Sequence, residues 1–211
     1  HIEAHSFPTR RSSDLGEATS DFFGVSVAIN STGDTIVVGA YGANSGTGYV
    51  KVYKNISGTW TLQGAKITGE ATYDYFGYSV AINSTGDTIV VGAYGANSQT
   101  GYVKVYKNIS GTWTLQGTKI TGEATNEWFG ISVAINSTGD TIVVGAYGGN
   151  SYTGYVKVYK NISGTWTLQG AKITGEATSD NFGISVAINS TGDTIVVGAY
   201  GANSQTGYVK V

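Results

Sequence analysis

The feature that most constrains this sequence is a repeat of 53 residues. The tetrapeptide GEAT recurs at that constant step, and the residues that follow it repeat almost letter for letter. GEAT begins at Gly16, Gly69, Gly122 and Gly175. Self-similarity at a fixed period is typical of repeat architectures, in which each unit buries its apolar surface against the next. We predict three complete units and one incomplete unit, spanning residues 16–68, 69–121, 122–174 and 175–211.

Each unit is predicted to hold four short β-strands. In the first unit these strands cover residues 23–30, 34–40, 48–54 and 59–67. Helix is a poor alternative, because the apolar residues alternate with period two, the runs are rich in Val, Ile, Thr and Tyr, and the chain contains 32 glycines. The second strand is apolar on both faces, which indicates a sheet sandwiched between two neighbouring sheets.

Four strands per repeat, with both sheet faces apolar, are typical of a β-propeller blade. We therefore predict an all-β fold, a β-propeller fragment of 53-residue four-stranded antiparallel blades. The blades would form an open arc or an incompletely closed ring. Other stacked β arrays stay open as the alternative.

One segment of each unit resembles a known family. Residues 21–54 resemble the FG-GAP repeat, the blade unit of integrin alpha chains and of many bacterial surface proteins. Phe23 and Gly24 match FG, residues 26–28 match the usual SVA, and residues 39–41 read GAY in place of GAP. The same motif recurs in every unit. The resemblance implies a blade fold and an extracellular or cell-surface module for binding or adhesion.

The resemblance also raises the question of calcium. Calcium-binding members of the family carry an acidic run similar to D-x-D-x-D-G-x-x-D between the first two strands, whereas this chain has NSTGDT at residues 30–35. Calcium takes six to eight oxygen ligands, several of them carboxylate, so Asn30 and Asp34 with backbone carbonyls fall short. We expect a polar hairpin turn and no cofactor. A weak calcium site at the Asn30/Asp34-type loops is the alternative.

Composition argues against several function classes. With 12% charged residues and a formal net charge of −2, the chain has no strong electrostatic field that would attract nucleic acid. No run of 18 apolar residues occurs, so we expect no membrane insertion. Beyond residue 15 there is no histidine or cysteine to serve in nucleophilic catalysis. The acids Glu17 and Asp21 recur in every unit, whereas an active site is usually a single asymmetric constellation, so we predict that the chain is not an enzyme.

Differences between the copies point to a binding face. The copies differ mainly in the link that enters the first strand and in the connection between the second and third strands, whereas the NSTGD and NISGT hairpins do not change. In an antiparallel blade the two variable connections emerge on the same side. Large rings at variable positions are typical of recognition surfaces, although loops also tolerate change for no functional reason. The candidate ligand-binding residues are Phe22, Tyr75, Trp128, Asn181, Gln99, Tyr152 and Gln205.

These observations favour an extracellular or cell-surface β-propeller module that recognises a protein or a glycan through one loop face. Two alternatives remain, a structural or spacer array without a specific ligand and the non-catalytic propeller part of a larger secreted enzyme. Uncovered blade edges would also allow self-association.

The first 15 residues do not fit the repeat. They hold both histidines, the only proline and both arginines of the chain. Residues 5–15, HSFPTRRSSDL, resemble the conceptual translation of a short-read sequencing adapter. We interpret residues 1–15 as a non-native leader without a signal peptide, fused to a metagenomic fragment, and exclude His1, His5, Arg10 and Arg11 from any site.

Overall fold

The computed structural model describes residues 16–211, so the leader predicted at residues 1–15 lies outside the described residues. Residues 16–211 form four antiparallel sheets that follow one another along the chain, which we call blades 1 to 4. The molecule is an open all-β propeller arc, as the sequence predicts.

Blades 1 to 3 repeat the same elements. Blade 1 contains β1 (Val27–Ile29), β2 (Thr35–Ala40), the helical turn α1 (Ala43–Gly46), β3 (Tyr49–Ile56), β4 (Thr59–Leu62) and β5 (Ile67–Thr68). Blade 2 contains β6 (Ser79–Ile82), β7 (Thr88–Ala93), α2 (Ala96–Gln99), β8 (Tyr102–Ile109), β9 (Thr112–Leu115) and β10 (Ile120–Thr121). Blade 3 contains β11 (Ser132–Ile135), β12 (Thr141–Ala146), α3 (Gly149–Tyr152), β13 (Tyr155–Ile162), β14 (Thr165–Leu168) and β15 (Ile173–Thr174). Blade 4 contains β16 (Ser185–Ile188), β17 (Ile195–Ala199), α4 (Ala202–Gln205) and β18 (Tyr208–Lys210).

The strands lie in chain order within each blade. In blade 1 the order is β1-β2-β3-β4, with β5 also paired to β3, and Val37 of β2 lies opposite Val52 of β3. The innermost strands β1, β6, β11 and β16 contact their counterparts in the next blade. This arrangement places the hairpins at the start of β2 and its equivalents on one face of the arc and the α turns at the other.

Two predicted strands are wrong in their bounds. The fourth strand, predicted over residues 59–67, is divided into β4 and β5, because Gly64 adopts a positive φ of 69° and turns the chain between them. The first strand begins at Val27 rather than at residue 23. In the later blades the phenylalanine of the FG motif instead bridges to the blade before, as Phe76 does to Gly48.

The core consists of the layers between consecutive blades. Val37, Val50 and Val52 of blade 1 pack against Phe76 of blade 2, which is completely buried. The glycines of this layer allow the sheets to approach: a Cβ at Gly39 would lie 2.0 Å from the carbonyl oxygen of Gly77. A side chain there would therefore force the two blades apart.

Among residues 16–211, no helix has the length and apolar character needed to cross a membrane.

Candidate functional site

Backbone hydrogen bonds between blades bring the predicted binding residues together. The amide of Trp128 donates to the carbonyl of Gln99 at 2.8 Å, so the α turn of blade 2 contacts the loop that enters blade 3. Equivalent bonds join Tyr75 to Gly46 at 2.7 Å and Asn181 to Tyr152 at 2.8 Å. The two variable connections are thus adjacent on one face. Phe22 and Gln205 lie at the two ends of this row.

Aromatic rings on this face form a continuous surface, which we call the aromatic belt. Its members are Phe22, Tyr41, Tyr75, Tyr78, Tyr94, Trp128, Tyr147 and Tyr152. Phe22 stacks on Tyr41 with ring centroids 5.1 Å apart. Trp128 meets Tyr147 edge-on at 4.5 Å. Such offset and edge-to-face arrangements are the favourable ones for aromatic pairs, so the belt is ordered without becoming a buried core.

Four belt tyrosines, Tyr41, Tyr78, Tyr94 and Tyr147, are not among the candidate residues predicted from the sequence. Tyr41, Tyr94 and Tyr147 directly follow the second strand of their blades and are identical in every copy, so differences between the copies do not reveal them. Their position in the sequence could have identified them, because residues just after β2 and its equivalents emerge on the same face as the α turn. Burial among the neighbouring rings raises the pKa of Tyr94 to about 12. Its hydroxyl stays protonated at neutral pH and is available as a hydrogen-bond donor.

The backbone under the belt is strained. Phe22, Tyr75 and Trp128 have φ values of 53°, 55° and 57°, in the left-handed region that large side chains rarely adopt. Gln99 and Tyr152 on the α turns also have positive φ, at 65° and 63°. Glycine or asparagine would adopt this conformation at little cost.

Polar groups accompany the rings. The indole Nε1 of Trp128 donates to Oε1 of Gln99 at 2.5 Å. Gln99 and Gln205 are exposed, whereas Asn181 is half-buried and donates to the carbonyl of Ser179 at 3.2 Å. Asn181 replaces a ring in blade 4, so the belt of stacked rings ends at Tyr152, which is 44% exposed.

The repeated acids have structural partners. Oδ2 of the buried Asp21 accepts hydrogen bonds from the backbone amides of Glu17 and Ala18 at 2.9 and 3.0 Å and from the hydroxyl of Tyr49 at 3.1 Å. Glu17 lies between the ammonium groups of Lys51, at 3.1 Å, and Lys66. The hydrogen bonds from Lys66 and Lys51 lower the pKa of Glu17. Lys51 is therefore a paired, largely covered cation, and the two acids hold the loop in place.

Comparison with family models identifies the repeat. The model of the FG-GAP repeat matches residues 14–53, 60–106, 116–159 and 166–209, which together make up most of the chain. This chain belongs to the FG-GAP repeat family. A search of curated proteins found no match.

Solved structures similar to this FG-GAP chain are propeller-like. Hydrazine synthase from Kuenenia stuttgartiensis superimposes with a TM-score of 0.60 at 14% identity, covering 94% of this chain and 48% of that one. TolB from Acinetobacter baumannii gives a TM-score of 0.50 at 12% identity, covering 88% of this chain and 42% of that one. The chain thus spans about half the length of these proteins or less, and at such low identity the likeness shows the fold alone.

The FG-GAP loop that binds calcium in other members is a closed polar turn here. Oδ1 of Asn30 accepts hydrogen bonds from the amides of Asp34 and Thr35 at 3.1 and 3.0 Å. Nδ2 of Asn30 and Oγ1 of Thr35 both donate to Oδ1 of Asp34 at 2.8 Å. The bond from Thr35 and the bond from Asn30 lower the pKa of Asp34. Within residues 16–211 no three His, Cys, Asp or Glu side chains are grouped to hold a metal, and weak calcium binding stays a prediction to test.

The face opposite the belt carries two equivalent grooves between FG-GAP blades. One, of about 220 Å³, lies between blades 1 and 2, and the other, of about 270 Å³, lies between blades 2 and 3. Each is lined by a lysine, a glutamine, an aspartate, an asparagine and a tryptophan that stand at equivalent positions in the two grooves. The tryptophan has a structural role, because Nε1 of Trp113 donates to the carbonyl of Gln63 at 3.0 Å and so joins two blades.

Proposed function

We propose that this FG-GAP chain is an extracellular or cell-surface binding or adhesion module that recognises a protein or a glycan through the aromatic belt. The observation that carries the proposal is the presence of large rings at left-handed backbone positions. Phe22, Tyr75 and Trp128 all occupy such positions, and all three are replaced by another residue type in at least one other blade.

The energetic argument is that folding does not require these rings. A left-handed conformation costs roughly 1–2 kcal/mol for an ordinary residue. At equivalent positions the chain has residues that adopt this conformation with less strain. Asn181 stands where blade 3 has Trp128, and Gly46 stands where blade 3 has Tyr152. Backbone strain that the fold could avoid is typical of functional sites. This supports a role in recognition over neutral sequence variation in the loops.

The chemistry of the belt suits a neutral, partly apolar ligand surface. None of the seven candidate residues is charged, and three of them, Gln99, Asn181 and Gln205, carry amides that donate and accept hydrogen bonds. Phe22 is 56% exposed and offers a ring face for stacking. Rings flanked by amides are the combination with which proteins bind sugar rings and the apolar patches of protein partners.

The proposal assigns no catalytic step to residues 16–211. The acids Glu17 and Asp21 are engaged by lysines and backbone amides rather than facing each other across a cleft. One structurally similar protein is named as an enzyme, hydrazine synthase, so a non-catalytic role within a larger secreted enzyme is retained as an alternative. A spacer array without a specific ligand is the other.

The experiment is a binding screen of the chain against immobilised glycans and extracellular-matrix proteins. The double variant Trp128→Asn/Tyr152→Gly uses residues that the chain already places at equivalent positions. Ile109→Asn, on the opposite hairpin, is the matched control. We expect saturable binding by the wild type, at least a tenfold loss in the double variant and no change in the control. Binding that survives in the double variant contradicts the proposal, and the absence of any ligand for the wild type favours the spacer.

A further inference from the structure

Two grooves between blades, on the face opposite the aromatic belt, hold polar side chains that the fold leaves with open hydrogen-bonding groups. We call the groove between blades 1 and 2 the first groove and the groove between blades 2 and 3 the second groove. The side chains that matter in the first groove are Lys54, Gln63, Asp87, Asn108 and Trp113. Their equivalents in the second groove, each 53 positions later in the chain, are Lys107, Gln116, Asp140, Asn161 and Trp166.

Three donors in the first groove are open. Among residues 16–211, the ammonium group of Lys54 and the side-chain amide of Gln63 make no hydrogen bond. Oδ1 of Asn108 accepts a hydrogen bond from the amide of Gly111 at 2.8 Å, which fixes the side chain, but Nδ2 of Asn108 donates to no group in the same part of the chain. These groups can exchange water for a ligand without breaking a contact of the fold.

Asp87 supplies an acceptor beside these donors. Its Oδ1 accepts hydrogen bonds from Nδ2 of Asn83 and Oγ1 of Thr88, both at 2.8 Å, so the carboxylate is held in one orientation. Within the described residues, its Oδ2 has only Nζ of Lys107 nearby, at 3.9 Å, which is too long for a hydrogen bond. Burial raises the pKa of Asp87, but the hydrogen bonds from Thr88 and Asn83 outweigh burial and lower the pKa, so the group is ionised at neutral pH.

Trp113 offers the first groove a surface of ring carbon. Its Nε1 is already bonded to the carbonyl oxygen of Gln63 at 3.0 Å, and its ring is half-buried against the core between blades. Among the residues of the described chain that line the two grooves there is no Val, Leu or Ile. Each groove therefore combines one aromatic surface with several polar groups, and it has no aliphatic wall.

The balance of charge and the size of the grooves limit the ligand. Lys54 and Asp87 carry opposite charges, so a ligand ion attracted by one of them is repelled by the other. A sugar hydroxyl both donates and accepts hydrogen bonds, and can therefore pair with an ammonium group, an amide and a carboxylate together. Volumes of about 220 and 270 Å³ lie below the roughly 300–1,000 Å³ of pockets for drug-sized ligands, which suits a single sugar ring.

We propose that each groove binds one ring of a neutral saccharide. In the first groove the sugar hydroxyls bond to Lys54, Gln63, Asp87 and Asn108, and the apolar face of the ring lies on Trp113. The second groove does the same with the equivalent residues, which gives the chain two equivalent sites. The inference goes beyond the proposed function and does not depend on it, because the grooves and the aromatic belt lie on opposite faces.

The test is a sugar titration of the whole chain followed by NMR of its four tryptophan indole NH groups. Each signal is assigned by replacing one tryptophan with phenylalanine. Glucose, galactose, mannose and N-acetylglucosamine are the probes, and inorganic phosphate is the anionic comparison. We expect at least one sugar to shift the signals of Trp113 and Trp166 saturably, with equal Kd values in the millimolar range that is usual for so small a ligand. Phosphate should shift neither signal.

Glutamine variants separate the two grooves. Gln63→Ala removes an amide from the first groove but keeps the backbone carbonyl that Trp113 bonds. We expect the Kd measured at Trp113 to rise about fivefold, the usual effect of one lost hydrogen bond, while the Kd at Trp166 does not change. Gln116→Ala should have the reverse effect. Gln169→Ala, the same substitution at an equivalent position that lines neither groove, is the matched control and should change neither Kd.

Several results would overturn the proposal. A wild type whose groove signals do not move with any of the four sugars at about 50 mM has no such site. Shifts of equal size with phosphate would assign the grooves to anions, and an unchanged Kd in Gln63→Ala would place the sugar elsewhere. The belt variant Trp128→Asn/Tyr152→Gly should keep both groove sites. Loss of the groove shifts in that variant would mean that the sugar binds at the belt.

Discussion

At the scale of single residues, blade 3 carries two coupled differences from the other blades. Glu127 stands where the other blades have aspartate, and its carboxylate accepts the same bonds, including one from the hydroxyl of Tyr155 at 2.7 Å. Gly149 stands where the other blades have alanine, and a Cβ there would lie 2.7 Å from the ring of Tyr155. The longer acid and the smaller neighbour therefore compensate for each other.

We predict that Gly149→Ala lowers the free energy of unfolding by about 1–3 kcal/mol, the usual cost of overpacking a close-packed site. Adding Glu127→Asp should recover most of the loss, because it restores the pair found in blades 1, 2 and 4. Chemical denaturation of both single variants and the double variant forms the cycle that measures this coupling. Strictly additive effects would show that the two positions are independent.

A second residue-scale prediction concerns acid. Glu123 accepts hydrogen bonds from Lys157 at 2.6 Å and Lys172 at 2.7 Å, which lower its pKa from 4.5 to about 2. A lowered pKa stabilises the fold above pH 4.5, and the contribution is lost as the pH falls towards 2. Glu123 is 46% exposed, so solvent screening keeps the effect small.

Replacement of that glutamate should therefore change the pH profile of stability. We expect Glu123→Gln to be less stable than the wild type at pH 7 and to lose less stability than the wild type between pH 4.5 and pH 2. Urea unfolding across this range measures both effects. Glu176→Gln, whose residue has one lysine partner, Lys210 at 3.2 Å, is the milder control. Parallel curves for the wild type and Glu123→Gln would contradict the assignment.

At the scale of elements, the distance between blades is set by glycines on the second strand. A Cβ on Gly92 would meet the carbonyl of Gly130 in the next blade, whereas a Cβ on Gly198 would meet only a serine of its own blade, which can rotate. Gly92→Ala should therefore lower the melting temperature by several degrees, and Gly198→Ala should lower it much less. Calorimetry of the two variants tests this prediction. Equal decreases in melting temperature would mean that the backbone contact between blades does not cause the loss of stability.

Some strands and turns could be predicted from the sequence, and others could not. Strand β3 follows from period-two patterning, and strand β2 follows from a short apolar run whose residues are buried on both faces. The α turns could not be predicted, because Asn44 and Ser45 adopt left-handed conformations that local preferences disfavour. The aromatic belt was half predictable. Variable positions pointed to Trp128 and Tyr152, while the contribution of Tyr147 depends on its ring contacts with these two residues in the folded blade.

At the scale of the whole molecule, the arc has two kinds of surface. The last blade exposes Val209, whose equivalents in blades 1 to 3 are buried between blades, so this apolar surface is explained by blade stacking. The aromatic belt has no counterpart in the interior, and four of its eight rings, Phe22, Tyr75, Trp128 and Tyr152, occupy left-handed backbone positions that favour smaller residues. The central claim is that the belt serves recognition and that the fold does not need it.

Equilibrium unfolding of Trp128→Asn/Tyr152→Gly tests that claim most directly. Lost ring contacts cost about 0.5–1.5 kcal/mol per aromatic pair, and relief of left-handed strain returns roughly 1–2 kcal/mol per residue. Phe129→Ala, at a completely buried position of the same blade, calibrates the measurement with an expected loss of about 3–5 kcal/mol. We predict that the double variant unfolds within about 1 kcal/mol of the wild type. A loss as large as that of Phe129→Ala would show that the belt is packing, and would contradict the account.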